Sequence, residues 1–276
     1  MNAMLVPMKR LLRLFVISLA LVASLGGCAE DSEEWQVVWE DNFEGPAGQS
    51  PDPTRWRFDI GTDWGNAQLE YDTDRTVNAA LDGAGNLAIV ARAETLQGRE
   101  YTSARINTRD LFEQTHGRFE ARIRLPVGQG IWPAFWLLGS DFGVVGWPAC
   151  GEIDIMEYRG QEPRVLHGSL HGPGYSGGAA VTRRYELTTA AGFDADFHVF
   201  GVEWDVNRIT WTVDGVRYHA VTPRELPSGG RWVFEHPFFV ILNLAVGGNF
   251  VGPPDASTRF PQVMLVDWVR VSRFGS

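Results

Sequence analysis

The stretch Gly151-Glu152-Ile153-Asp154-Ile155-Met156-Glu157-Tyr158 restricts the fold more than any other part of this chain. It holds three carboxylates within six residues, with Ile, Ile and Met between them. Those spacers suit a strand buried on at least one face. Side chains alternate along a strand, so Glu152 and Asp154 point the same way. Glu157 is five residues beyond Glu152, and strict alternation sends it to the opposite face. A carboxylate would then be driven unpaired into the core, which is costly. One extra residue near Ile155-Met156, a β-bulge, returns Glu157 to the face of the other two. The sequence therefore predicts a bulged strand with its three acids on one face.

Acids crowded on one face repel each other and raise at least one pKa. That cost is met mainly where an acid and a base must coexist. The matching chemistry is hydrolysis of a glycosidic bond by paired carboxylates. With the bulge, Glu152 and Glu157 stand roughly 5–5.5 Å apart, the spacing of a nucleophile and an acid/base in a retaining mechanism. Asp154 lies between them and can share a proton with the nucleophile. A solvated strand face or a calcium site explains a lone E-x-D equally well. The apolar spacers and the tryptophans upstream favour catalysis. Trp132, Ala134 and Trp136 share one strand face. They offer either a flat apolar platform for sugar rings or two core indoles. Trp147 poses the same choice.

Residues 147–160, Trp-Pro-Ala-Cys-Gly-Glu-Ile-Asp-Ile-Met-Glu-Tyr-Arg-Gly, resemble the signature of glycoside hydrolase family 16. The E-x-D-x-x-E spacing is similar to that of its laminarinase-like (endo-1,3-β-glucanase) branch. The likeness continues in 65–71 (Gly-Asn-Ala-Gln-Leu-Glu-Tyr), 131–139, 167–175, 243–249 and 267–271. The resemblance implies a two-sheet β-sandwich, a β-jelly roll, with a cleft on its concave face. It implies a retaining endo-acting hydrolase of β-1,3-glucan with Glu152 as nucleophile, Asp154 tuning it and Glu157 as acid/base. Asn66, Arg105, Trp132, Trp136, His171 and Asn243 become the substrate-binding residues, with His171 near Glu157 or the leaving sugar. Read by themselves, Asn66 equally caps its own turn and Arg105 is either a cleft fork or an ordinary surface residue. The resemblance also implies a structural Ca2+ away from the cleft, held by Glu44, the Gly85 carbonyl and Asp267. It implies no cofactor for catalysis. Other β-glycans (mixed-linkage glucan or a red-algal galactan) and a non-catalytic β-glucan-binding protein stay open as alternatives.

His167 and His171 stand four apart in a Gly-rich run, a poor helix, so zinc is set aside. The N-terminus reads as a lipoprotein signal peptide over residues 1–27. Lys9, Arg10 and Arg13 precede the apolar run Leu14 to Leu25, which is short for a spanning helix. Leu25-Gly26-Gly27-Cys28 matches a bacterial lipobox, with Cys28 the lipidated residue. Residues 28–36 form an acidic tether and 37–276 the catalytic domain. This places the protein as an exported lipoprotein at the cell surface or the periplasmic side of the outer membrane, or secreted if unlipidated. Removing the signal leaves 24 − 3 = 21 basic against 34 acidic residues, a charge of −13, which disfavours nucleic acid. A monomer is expected. Cys150, the other of two cysteines, is then without an intramolecular partner and should be buried.

Alternation is clearest over 118–125, where Phe119, Ala121, Ile123 and Leu125 interleave with Arg118, Glu120, Arg122 and Arg124. Further strands are expected at 37–43, 86–92, 102–108, 197–204, 208–213, 216–221, 238–244 and 263–274. Asp214-Gly215 reads as a two-residue hairpin turn. Residues 63–71 read as a loop, and the only helix-like feature is a short turn around 191–195. Many short strands and almost no helix indicate an all-β sandwich.

Overall fold

Apolar residues at every second position build this molecule from strands. The computed structural model describes residues 34–275. The chain runs β1 (Trp35–Asp41), β2 (Arg57–Asp59), β3 (Glu70–Asp72), β4 (Ala79–Leu81), β5 (Leu87–Leu96), β6 (Arg99–Ser103), β7 (Arg105–Asn107), β8 (Gly117–Arg124) and β9 (Ile131–Gly139). It continues with β10 (Glu152–Tyr158), β11 (Val165–His171), β12 (Val181–Glu186), β13 (His198–Asp205), β14 (Arg208–Val213), β15 (Val216–Val221), β16 (Phe238–Val246) and β17 (Gln262–Phe274). A ten-stranded sheet has the order β15-β14-β13-β8-β17-β5-β6-β3, with β1 on β17 and β4 on β5. A seven-stranded sheet has the order β12-β11-β10-β9-β16-β7-β2. The core lies between them. Phe119, Ala121 and Ile123 of β8 face Phe135 and Leu137 of β9, Ile153 and Tyr158 of β10, and Val240, Leu242 and Leu244 of β16, all fully buried in one cluster. At roughly 1.5–3 kcal/mol for each large apolar side chain removed from water, this layer is the main stabilising term.

Local chemistry accounts for the turns. Asp214 and Gly215 have φ of 50° and 75°, the left-handed pair that a two-residue hairpin requires. The Asp214 carboxylate also accepts the Val199 N–H at 2.8 Å and so ties the turn to β13.

The strands β2, β4, β11 and β12 were not expected from sequence, and the structure departs from the reading in four further places. The expected strand 102–108 is two strands. Thr102 and Ser103 belong to the ten-stranded sheet, and Arg105 to Asn107 pair with β16 in the other. The chain changes sheet at buried Ala104, and the Ser103 hydroxyl donates to the Leu244 carbonyl at 2.6 Å. Small residues let the backbone turn that corner. Secondly, Glu70–Asp72 is a strand, parallel to β6, overlapping the end of the segment read as a loop. Its inward residues are carboxylates, so the usual apolar alternation is missing. Thirdly, β1 takes in Trp35 and Gln36 from the expected tether, because Trp35 packs edge-on against Phe274 with ring centres 5.1 Å apart. Finally, one α-helical turn forms at Phe142–Val145, whereas 191–195 closes a turn through the Ala195 N–H on Gly192 O at 3.1 Å. Among the described residues no helix is long and apolar enough to cross a membrane. Cys28 and the signal segment lie outside the described residues.

Candidate active site

The bulge lies where three acids need it. Along β11, Asp154 faces Ser169 and the next pair is Glu157 with His167. Along β9, Asp154 faces Trp136, then Met156 faces Phe135 and Glu157 faces Ala134. Two residues of β10 thus oppose one of its neighbour. Ile153, Ile155, Met156 and Tyr158 go into the core, while Glu152, Asp154 and Glu157 line the outer face of the seven-stranded sheet. That face continues across the sheet: Ser169, Asp154, Trp136 and Ile241 form one cross-strand row, and His167, Glu157, Ala134, Asn243, Arg105 and Asp59 form the next.

The acids stand close enough to act on one another's charge. Asp154, with 4% of its side chain exposed, is in hydrogen-bonding contact with Glu152, which keeps 17%. His171 Nε2 stands 3.0 Å from Asp154 Oδ2 and 3.6 Å from Glu152 Oε1. The Gly177 N–H donates to His171 Nδ1 at 3.0 Å, so the ring proton sits on Nε2 and faces the acids. The Trp147 indole N–H donates to Glu152 Oε2 at 3.0 Å. Burial is the main cause that pushes all three acids up to about 8. The charge of Asp154 lifts Glu152 and Glu157 further, while His171, then Trp132 and Ser169, draw Glu157 back. Protons are therefore shared within the cluster well above the ordinary carboxylate range, as acid and base in one site require. Glu152, Asp154 and His171 also bring three ligand-type atoms within 4.8 Å. Trp147 and Gly177 hydrogen-bond to Glu152 and His171 from outside the group, while Asp154 Oδ2 has no hydrogen-bond partner among the described residues.

The other residues singled out from sequence fall into place one by one. His171 lies against Glu152 and Asp154 and stands close enough to Glu157 to lower that acid's pKa; the register sets His167 opposite Glu157. Trp132 and Trp136 share the outer face, but each is packed. Trp132 is 7% exposed beside Ala245, Val251 and Phe250, and Trp136 sits with Leu138, Cys150, Phe239 and Ile241. Asn243 Oδ1 accepts the Trp136 indole N–H at 2.8 Å. Arg105 meets no catalytic acid: its Nε donates to Asp59 at 2.9 Å, and its guanidinium lies 4.9 Å from the Trp136 ring and 5.0 Å from that of Trp64. Asn66 is on the rim, its carbonyl accepting the Asn249 N–H at 2.9 Å, and among the described residues its side chain makes no hydrogen bond. Cys150 is fully buried, and burial followed by the Glu152 charge pushes its thiol up to about 12, which leaves it unreactive. Away from this face, the Glu44 carboxylate lies against Gly85, where an added Cβ would be 3.5 Å from Glu44 Oε1. Asp267 pairs through Oδ2 with Arg122.

Several participants carried little signal. Trp64 stacks on Arg105 and donates to Asp72 Oδ2 at 2.8 Å, and Glu70 accepts the Val246 N–H at 2.8 Å. Burial raises Glu70 to about 8 and Asp72 to about 7. The signal that could have found them is a second E-x-D at strand spacing, Glu70-Tyr71-Asp72.

Comparison with known proteins agrees with this site. The profile of glycosyl hydrolases family 16 matches residues 59–270. The chain is 38% identical over 282 residues to a beta-glucanase of Rhodothermus marinus, covering 98% of each protein. The catalytic domain of an endo-1,3-beta-glucanase (laminarinase) from Thermotoga petrophila RKU-1 shares 46% identity over 88% of this chain and 100% of its own, with a TM-score of 0.83. The endo-beta-1,3-glucanase from Pyrococcus furiosus shares 47% over 89% and 97%, also at 0.83. A bulged strand of three acids, carried on two packed antiparallel sheets and matched over most of its length by such relatives, makes this chain a member of glycosyl hydrolases family 16, a glycoside hydrolase on a β-jelly roll.

Proposed function

We propose that the protein is an endo-β-1,3-glucanase that retains anomeric configuration. One observation carries the reading: the bulge sets Glu157 on the face that holds the Glu152–Asp154 pair. Glu152 attacks the anomeric carbon as Glu157 protonates the departing oxygen, which breaks the glycosidic bond and leaves a glycosyl-enzyme ester. Glu157 then takes a proton from water, and the water oxygen displaces Glu152. Asp154 and His171 Nε2–H hold the nucleophile in place and share its proton. Trp132, Trp136 and Trp147 offer apolar surface to sugar rings, and Asn66, Arg105 and Asn243 offer polar groups to hydroxyls. No cofactor takes part.

A structural calcium belongs to the same reading. Glu44 against the Gly85 turn fits a hard cation. Asp267 gives one oxygen to Arg122, so only its other oxygen would serve. The test is digestion of laminarin with and without a chelator, beside lichenan, agarose, porphyran and carrageenan. New reducing ends should appear from laminarin as a ladder of oligosaccharides. The chelator should leave the rate unchanged and lower the melting temperature. A laminarin solution with no new ends returns the chain to the glucan-binding alternative, and faster release from a galactan replaces the substrate.

The basic and apolar N-terminal run ending in Leu25-Gly26-Gly27-Cys28 supports export and lipidation at Cys28. Two or more acyl chains there would hold the enzyme stably at a membrane. Cys28→Ser should move the protein from the membrane fraction to the soluble one; unchanged sedimentation with membranes refutes the anchor.

A further inference from the structure

Two irregularities face each other across the core. In the seven-stranded sheet the β10–β11 ladder jumps from Asp154–Ser169 to Glu157–His167, which leaves Gly168 alone opposite Ile155 and Met156. In the ten-stranded sheet the β14–β15 ladder jumps from Trp211–His219 to Thr212–Arg217, which makes Tyr218 the extra residue. The two meet at Gly168. A Cβ there would lie 2.4 Å from Tyr218 Oη and 2.6 Å from Trp211 Cδ1. Glycine is required at this position for close approach. Through the gap, the fully buried Trp211 donates its indole N–H to the Asp154 carbonyl at 2.8 Å. A bulge interrupts the ladder, and at this edge of it a buried carbonyl finds its donor in the opposite sheet. Trp211 is itself fixed by stacking on His219, with ring centres 4.7 Å apart and planes 28° apart.

We propose that Trp211, in the sheet that carries none of the three acids, is a positioning residue for the reaction: its N–H pins the Asp154 carbonyl and so fixes the bulge that turns Glu157 toward Glu152. The inference rests on the hydrolytic reading of the acid cluster. Its chemical sense is geometric. The two carboxyl groups serve as nucleophile and acid only at a narrow separation, and functional groups must be held to within roughly 0.5 Å by their supporting shell. A bulge released at its carbonyl can relax toward regular pairing, which rotates Glu157 away.

Trp211→Phe tests this beside Trp204→Phe. Trp204 is also buried, at 2% exposure, and donates its N–H to the Phe234 carbonyl at 3.1 Å, outside the acid strand. Both variants lose the same atoms and one hydrogen bond, so both should melt earlier by similar amounts. Only Trp211→Phe should lower kcat, by about ten-fold or more, with KM within about two-fold and the alkaline limb of the pH–rate profile displaced. Equal kcat losses in the two variants, or a Trp211→Phe enzyme with wild-type kcat and pH profile, overturn the proposal. If Trp211→Phe does not fold, benzothienylalanine at position 211 exchanges the N–H for sulfur at nearly constant shape and is read in the same way. Wild type is assayed alongside. A wild type that hydrolyses no glycan removes the functional reading itself, whereas an active wild type with an indifferent position 211 removes only this inference.

Discussion

Glu152→Ala abolishes turnover, with kcat expected to fall on the order of 10^4-fold or more, and millimolar azide restores bond cleavage without restoring hydrolysis. The size of the loss follows from what is removed. Without the carboxylate no glycosyl-enzyme can form, and water cannot substitute for it from that side of the sugar. The methyl group leaves a void lined by Trp147, His171 and Asp154, the three groups that touched Glu152. Azide is small and anionic, and it enters where a carboxylate was held. It attacks the anomeric carbon from the nucleophile's face while Glu157 still protonates the departing oxygen. The product is a glycosyl azide of inverted, α configuration, identified by NMR. A variant that still cleaves laminarin at a rate near wild type, or azide that yields no glycosyl azide, removes Glu152 from the role. The same experiment on Asp154→Asn separates partner from nucleophile. Asp154 is almost sealed from solvent, so its loss should slow the enzyme without creating an azide-dependent product.

The acid strand was legible in the sequence because its demands conflict. Apolar spacers require a buried strand, and alternation would bury an acid, so only an inserted residue satisfies both. The 118–125 strand and the Asp214-Gly215 turn were legible for the simpler reason that each is fixed by its own residues. What stayed hidden depends on partners far away in the chain. Nothing local to Thr102–Thr108 says that the strand changes sheet at Ala104, because the reason is the place of β16 and its Leu244 carbonyl. Arg105 reads as a lone cation in a small apolar run, yet its environment is two indoles and Asp59, with Asp59 and Trp64 both more than forty residues away. That His171 also stands against Glu152 and Asp154 is set by strand register, which spacing along the chain does not show. Glu70 was lost to a loop, and Asp72 just beyond it went unread, because polar inward residues mimic a solvated segment. The Trp211 bond to the Asp154 carbonyl joins residues 57 apart, and no motif on either strand announces it.

Glu157→Gln should cost about 10^2- to 10^4-fold in kcat/KM on laminarin, the usual worth of a positioned general acid, and should do so selectively. An aryl laminari-oligosaccharide with a good leaving group needs little protonation, so its first step should be nearly untouched while the glycosyl-enzyme accumulates for want of a base. A burst of phenol followed by a slow steady state is the expected trace. The pH profile carries the second half of the argument. In the wild type, Glu157 must hold its proton to act as acid. Burial and the charge of Asp154 raise its pKa to about 8, so the limb of the profile that reports the acid should fall as pH climbs past that value. Glutamine cannot ionise, and the alkaline limb of the first step should flatten in the variant. The substrate dependence is diagnostic, because Glu152 is raised to about the same value and the wild-type profile is the same for either assignment. Were Glu157 instead the nucleophile, the activated substrate would be hit as hard as the natural one. An aryl substrate slowed as severely as laminarin, with no burst, reverses the two glutamates and makes Glu152 the proton donor in this site.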